Sequence, residues 1–277
     1  MGCWFAKFLK SNGYHVIISD RNRRAGRICS RRLGTEFADD YLAAAKRSDI
    51  VLLATPTNVS NRILKQLGRE LKTGTLVVEI SSMKDPVRRT ISALQENGVP
   101  VLSIHPMFGP GTKKLENRSI LVVSRTRHGE AKRLLSILRR QGARMVPCSI
   151  GKHDTLASIV IALPHLMSIS LIETLRSLRI SLNEINKVSG TTFRLQSLIA
   201  EAIYQEDYAN EFSILTDSRS SVLQSYCQQV RTMLNIIRTN PERISGILSA
   251  GRRLVEDNRH FADSYERFNA AVQAALV

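Results

Sequence analysis

His105 stands between a β-type apolar run, Val99 to Ile104, and a turn built from Pro106, Gly109, Pro110 and Gly111. Proline and glycine at that spacing forbid both helix and continued strand. The imidazole is therefore expected at a strand end, the side on which open α/β sheets bind ligands. An imidazole titrates near neutrality and can take the proton of an alcohol. The plainer alternative is a core histidine with its hydrogen bonds satisfied. A second pattern opens the chain: Gly2, an apolar helix face at Ala6 and Leu9, a turn at Gly13, strand residue Val16 and then Asp20. That is the spacing of the back end of a dinucleotide fingerprint, with Gly2 where its third glycine would stand. The acid at the end of the second strand accepts bonds from a ribose 2′-hydroxyl. Asp20 favours NAD. Arg21, Arg23 and Arg24 just beyond it could hold the extra phosphate of NADP, which Asp20 would repel. Thr55 and Pro56, where a further apolar run ends, are counted with the cofactor-binding residues.

These residues need strands and helices to place them. As far as about residue 150, short β-branched runs alternate with helical stretches. The strands are read at 15–19, 49–55, 75–81, 100–104, 119–124 and 144–149. Val59, Ile63 and Leu67 show the three-to-four spacing of an intervening helix. Alternation of this kind implies a parallel, doubly wound sheet. Past Gly151 the strand signals stop. Asp154 is expected to cap a long apolar helix, and further helices are read at about 182–204, 207–238 and from Asn240-Pro241-Glu242 onward. The fold class is thus α/β followed by all-α: a Rossmann-type domain over 1–151 and a helical domain over 152–277. No strand precedes Gly2, and the fingerprint's first two glycines are absent. A late start or a truncated chain is the favoured explanation, and an inherited loss the alternative. Because that first strand is central, its absence is expected to expose apolar surface.

Composition narrows the classes further. The chain has 277 residues, enough for two cores, and 43% of them are hydrophobic. Cys3, Cys29, Cys148 and Cys227 lie far apart, with no CxxC pair and no histidine at metal-ligand spacing. They are read as reduced thiols of a cytoplasmic protein, with no metal site. Residues 156–175 are long enough to cross a bilayer, but Pro164 and His165 interrupt them. A buried core or a dimer interface explains that stretch better than a membrane. The net charge is +16, with six arginines between residues 20 and 32. No aromatic residues are interleaved for base stacking, so attraction of an anionic substrate and cofactor is preferred to nucleic-acid binding.

Several separated motifs occur in order: SSMKDP (81–86), HPMFGP (105–110), KHD (152–154), ALPH (162–165), TFRLQSLIAEAIYQEDYAN (192–210) and FADSYERFNAA (261–271). By these the chain resembles the prephenate dehydrogenase family of tyrosine biosynthesis. The resemblance implies a nucleotide-binding domain joined to a helical dimerisation domain, hence a homodimer. It also implies oxidative decarboxylation of prephenate with hydride transfer to NAD or NADP. Arogenate, which has an amine in place of the side-chain keto group, is the alternative substrate. A cofactor-less dimeric binding protein descended from the family is the alternative from a different class.

The resemblance gives His105 the role of catalytic base and Ser82 that of orienting the histidine or the substrate hydroxyl. A turn-forming or capping serine is the plainer reading of Ser82. Arg194 matches the arginine that clamps a substrate carboxylate, for which a guanidinium fork is suited. Its neighbours Phe193 and Leu195 speak against casual exposure. His153 and His165 are placed among the substrate-binding residues, with a satisfied core histidine as the alternative for His165. Relatives that carry a further histidine three residues before His165 differ from this chain, which has Ala162 there.

Overall fold

The computed structural model describes residues 1–205 and 221–275. The chain divides into two compact units, Met1–Ala157 and Ser158–Val277.

In the first unit the elements run α1 (Gly2–Ser11), β1 (Ile17–Ile18), α2 (Arg23–Leu33), β2 (Glu36–Phe37), α3 (Tyr41–Lys46), β3 (Ile50–Leu53) and α4 (Thr57–Glu70). They continue with β4 (Leu76–Glu79), α5 (Asp85–Glu96), β5 (Val101–Pro106), β6 (Ser119–Ser124), α6 (Gly129–Arg140), β7 (Arg144–Pro147) and α7 (Ile150–Ala157). Strands β3 to β7 form one sheet in that order, and β1 with β2 form a separate parallel pair. In a doubly wound sheet the fingerprint's first strand lies between its second and fourth. Those are β1 and β3 here, which belong to separate sheets. Ile50, Val51 and Leu52 of β3 are half-buried, whereas every residue of β4 and β5 is buried. Two apolar layers flank the sheet with the period of two that strands impose. Leu76, Val78, Leu102 and Ile104 meet Phe5, Phe8, Leu134 and Leu138 on one face. Val77 and Val101 meet Leu64, Leu67, Val87 and Ile91 on the other.

The sheet departs from the all-parallel expectation at one place. β6 runs antiparallel to β5, with a register shift between Ser103 and Ile104, and β7 then runs parallel to β6. A parallel neighbour needs a crossover element, usually a helix. Residues 107–118, rich in proline and glycine, hold none, so the chain simply turns back.

Two other expectations are corrected. Cys3 on α1 and Cys29 on α2 form a disulfide with Cα atoms 6.1 Å apart, which leaves Cys148 and Cys227 as free thiols. Their 26-residue separation concealed a pairing that depends on adjacent helices. Asp154 does not cap its own helix, which starts four residues earlier at Ile150. Instead it accepts the backbone N–H of Lys84 and of Asp85, both at 2.8 Å, and so caps α5. These bonds tie the start of the long apolar helix to the first unit. The first compact unit extends through Ala157.

In the second unit, a π-helical turn at Ser158–Ala162 leads into α8 (Leu163–Ser177). Then come α9 (Leu182–Val188), α10 (Thr191–Gln205), α11 (Ser221–Thr239), α12 (Arg243–Glu256) and α13 (Ser264–Ala275). α8 packs on α10, and α10 on α13. Pro164 accounts for the π turn, since it has no N–H and its ring crowds the carbonyl one turn back. The Ile161 carbonyl accepts the His165 Nδ1–H at 2.6 Å. The helix read at 182–204 breaks at Ser189-Gly190, between α9 and α10. The start of the one read at 207–238 lies outside the described residues. Among those residues one helical run, Ile150–Ser177, is long and apolar enough to cross a membrane by length and composition.

Candidate active site

The site grows from the ends of two adjacent strands. β4 is apolar except for Glu79, whose carboxylate is fully buried. A charge in that position requires partners. The loop after β4 supplies them, because Lys84 folds back and places its ammonium, also fully buried, 2.8 Å from Glu79 Oε2. The same ammonium donates to the Ile104 carbonyl at 2.8 Å, and Ser103 Oγ donates to Glu79 Oε2 at 2.8 Å. The backbone N–H of Ser81 donates to Glu79 Oε1. Burial pushes the Lys84 ammonium below its ordinary pKa, against the pull of Glu79. The network clamps the Ser82 loop to β5 directly beside His105.

His105 is the penultimate residue of β5 and is 4% exposed. Its Nδ1 is 3.0 Å from Nε2 of His153, and His153 Nδ1 is 2.6 Å from Asp154 Oδ1. Burial first, then the Lys84 charge and His153, hold the His105 pKa well below its ordinary value, with Asp154 opposing them. The imidazole is thus neutral at neutral pH, the state a base requires. Asp154 is held below the ordinary carboxylate range: burial pushes it up, but the bonds from His153 and the two α5 amides outweigh that.

His153 was expected among the substrate-binding residues. It is fully buried, and both ring nitrogens are engaged by His105 and Asp154. Ser82 is half-buried in the loop, and among the described residues its hydroxyl bonds nothing. The ring set against His105 is that of His153. Sequence reasoning missed Glu79, Ser103, Asp154 and the buried placement of Lys84. One signal was available, since a glutamate inside the apolar run LVVEI must find a cation or stay protonated.

The candidate cofactor residues also lie in the first unit. Gly2 is exposed in the first turn of α1, which has neither a side-chain cap nor an acidic residue, so its amide N–H groups are open to an anion. Asp20 is exposed after β1, with Oδ1 accepting the Asn22 N–H at 2.7 Å. Arg21 beside it is exposed, whereas Arg23 and Arg27 pair with Asp39. Thr55 and Pro56 lie between β3 and α4, where Thr55 Oγ1 is 2.8 Å from Ser60 Oγ and Pro56 opens the helix without a side-chain cap. This donor set suits a phosphate and a ribose. Among the described residues no group of three or more His, Cys, Asp or Glu could hold a metal ion.

In the second unit His165 is half-buried on α8. Arg194 on α10 is exposed, with Nε donating to Ser189 Oγ at 3.4 Å. The expectation that its apolar neighbours would bury it does not hold. Phe193 and Leu195 are themselves half-buried and lie on other faces of the helix.

Two family models match in sequence. Residues 5–146 match the prephenate dehydrogenase nucleotide-binding domain, and residues 149–203 match the prephenate dehydrogenase dimerization domain. A protein of Methanocaldococcus jannaschii named "Probable arogenate/prephenate dehydrogenase" is 28% identical over 96% of this chain, which spans 60% of that protein. Arogenate dehydrogenase 1, chloroplastic, of Arabidopsis thaliana is 28% identical over 57% of this chain and 26% of its own length. Among solved structures, prephenate dehydrogenase from A. aeolicus, in complex with hydroxyphenyl propionate and NAD+, aligns with a TM-score of 0.66 at 17% identity. That alignment covers 93% of this chain and 95% of the other. Synechocystis arogenate dehydrogenase aligns with a TM-score of 0.61 at 20% identity, over 93% and 96%. The structural likeness concerns the fold. The nucleotide-binding match alone covers more than half of the chain and contains the Ser82 loop, the buried Glu79–Lys84 pair and His105. With the second match following in order, the chain belongs to the prephenate dehydrogenase family.

Proposed function

We propose that the chain is an NAD-dependent prephenate dehydrogenase that forms 4-hydroxyphenylpyruvate and carbon dioxide, acting as a soluble, cytoplasmic homodimer. The observation that carries this reading is His105, a neutral imidazole at a strand end whose Nε2 bonds no described residue. In the reaction the ring hydroxyl gives its proton to that nitrogen as the hydroxyl carbon becomes a carbonyl. A nicotinamide dinucleotide, which Gly2, Asp20, Thr55 and Pro56 would hold, would supply the acceptor for the hydride leaving the same carbon. The bond to the quaternary carbon's carboxylate breaks, its electron pair enters the ring, and the carbonyl oxygen gains a proton to give the phenol. Aromatisation drives the step forward. The buried Lys84–Glu79 pair keeps the loop and the imidazole in place and excludes water behind them. Exposed apolar residues of the second unit, among them Ile159, Val160, Met167 and Leu198, suit a dimer interface.

Arogenate is the second reading, because relatives carry both names. Steady-state kinetics of the purified chain with prephenate and arogenate, each with NAD and NADP, test the proposal. Prephenate with NAD is expected to have the highest kcat/KM, and absence of turnover with all four combinations would overturn it in favour of a binding protein. Asp20→Ala is expected to shift preference toward NADP by removing repulsion beside Arg21; a wild-type preference for NADP would contradict the role given to Asp20.

Arg194 is read as the carboxylate clamp, supported by its place in the TFRLQ motif. A charge-assisted bond contributes roughly 1.5–3 kcal/mol, so Arg194→Ala is expected to weaken substrate binding about tenfold or more. Arg194→Lys should recover only part, since an ammonium has no planar fork. Separate titrations with substrate and NAD check this, and equal weakening of both ligands would make the residue structural.

A further inference from the structure

The hydrogen bonds behind His105 have a direction. A carboxylate can only accept, and Asp154 is held as one by the amides of Lys84 and Asp85, each at 2.8 Å. His153 therefore donates from Nδ1 across 2.6 Å. In a neutral ring its Nε2 then carries the lone pair, and the proton in the 3.0 Å contact belongs to His105 Nδ1. That leaves the lone pair of His105 on Nε2. The opposite arrangement would require an imidazolium at His153, a second fully buried cation in the neighbourhood of the Lys84 ammonium, and burying charge without full pairing is costly.

We propose that His153 and Asp154 are positioning residues that fix His105 with its proton on Nδ1 and its lone pair on Nε2, facing the substrate hydroxyl. The proposal rests on His105 being the base, as read above, although the tautomer can be measured without any turnover. During the reaction the proton moves from the hydroxyl oxygen to Nε2, and no proton need leave the chain of bonds behind. The imidazolium so formed donates from Nδ1 to His153, with the Asp154 carboxylate one bond further on to balance its charge. The same carboxylate caps α5, so the imidazole's orientation and the position of the Ser82 loop depend on one side chain.

The charged and titratable groups facing His105 are Lys84, His153 and Asp154. Two variants, His153→Phe and Asp154→Asn, leave Lys84 in place. Nitrogen NMR of the isotope-labelled full chain is expected to show His105 and His153 each protonated at Nδ1 and bare at Nε2. His153→Phe removes the acceptor for His105 Nδ1, so both tautomers of His105 should appear. Its kcat should fall about tenfold or more, a part of the ~10²–10⁴-fold available to general-base catalysis, while substrate affinity is unchanged. Asp154→Asn keeps an acceptor for His153 but loses the negative charge, so the acid limb of kcat/KM should move to lower pH. A merely structural role would lower thermal stability and move neither the limb nor the nitrogen shifts. Finding His105 protonated at Nε2 in the wild type would overturn the proposal, as would wild-type kcat and pH limbs in both variants. Should one variant fail to fold, the wild-type spectrum and the other variant still decide. If His105→Asn retains full turnover, the base assignment fails, and the nitrogen shifts report on the relay independently.

Discussion

His105→Asn is expected to lower kcat by about 10²–10⁴-fold, the usual worth of general acid–base catalysis, with substrate affinity nearly intact. The loss corresponds to roughly 3–5 kcal/mol of barrier, more than any single binding contact supplies. Asparagine has no titrating nitrogen, yet its amide can still face His153, so the fold and the Ser82 loop should survive. Steady-state kinetics with calorimetric titration of substrate separate the two effects, and near-wild-type kcat in the variant would sink the assignment. The pH dependence follows from the depressed pKa of the folded imidazole. In the wild type the acid limb of kcat/KM should lie below the ordinary histidine range, because the free enzyme holds His105 neutral there. Stability follows the same sign. The unfolded chain binds a proton at the ordinary histidine pKa and the folded chain does not. The contribution of His105 is therefore fully present above that pKa and is lost as pH falls from it toward the folded value.

Breaking the buried ion pair should have the largest effect on stability. Lys84→Met leaves the Glu79 carboxylate fully buried with only the Ser103 hydroxyl and the Ser81 N–H to donate to it. Removing one partner of such a pair costs about 3–5 kcal/mol, because the other charge remains unpaired. The double variant Glu79→Gln/Lys84→Met should recover most of that loss, since it removes both charges and keeps the volume. Urea denaturation of wild type, single and double variants measures the difference. A single variant within about 1 kcal/mol of wild type would show that the carboxylate finds another partner or a proton. The double variant should nevertheless remain catalytically impaired, because the Lys84 bond to the Ile104 carbonyl, which ties the loop to the strand bearing His105, is lost with the charge.

What the sequence determined by itself was local. The strand run into His105 ends at Pro106, just ahead of the Gly109-Pro110-Gly111 turn that stops both strand and helix. The strands at 76–79, 101–106 and 119–124 declare themselves by short runs rich in Val, Ile and Leu, the mark of buried strands. The fingerprint spacing from Gly2 to Asp20 placed α1 and β1 in order, because that motif is confined to one turn and one helix. The tertiary structure decided whatever depends on which distant segments become neighbours. His153 lies 48 residues from His105, and Asp154 lies 70 from the Lys84 amide it accepts. Neither pairing has a period or a spacing to reveal it. His153 could be read from the sequence as a ligand for substrate, and Asp154 as the cap of its own helix. Packing of α7 against the end of β5 and the start of α5 made one a partner of His105 and the other the cap of a different helix. The reversal of β6 and the bond between Cys3 and Cys29 were hidden for the same reason. Sequence patterns record what a segment buries, whereas sheet order and helix docking determine what it is buried against.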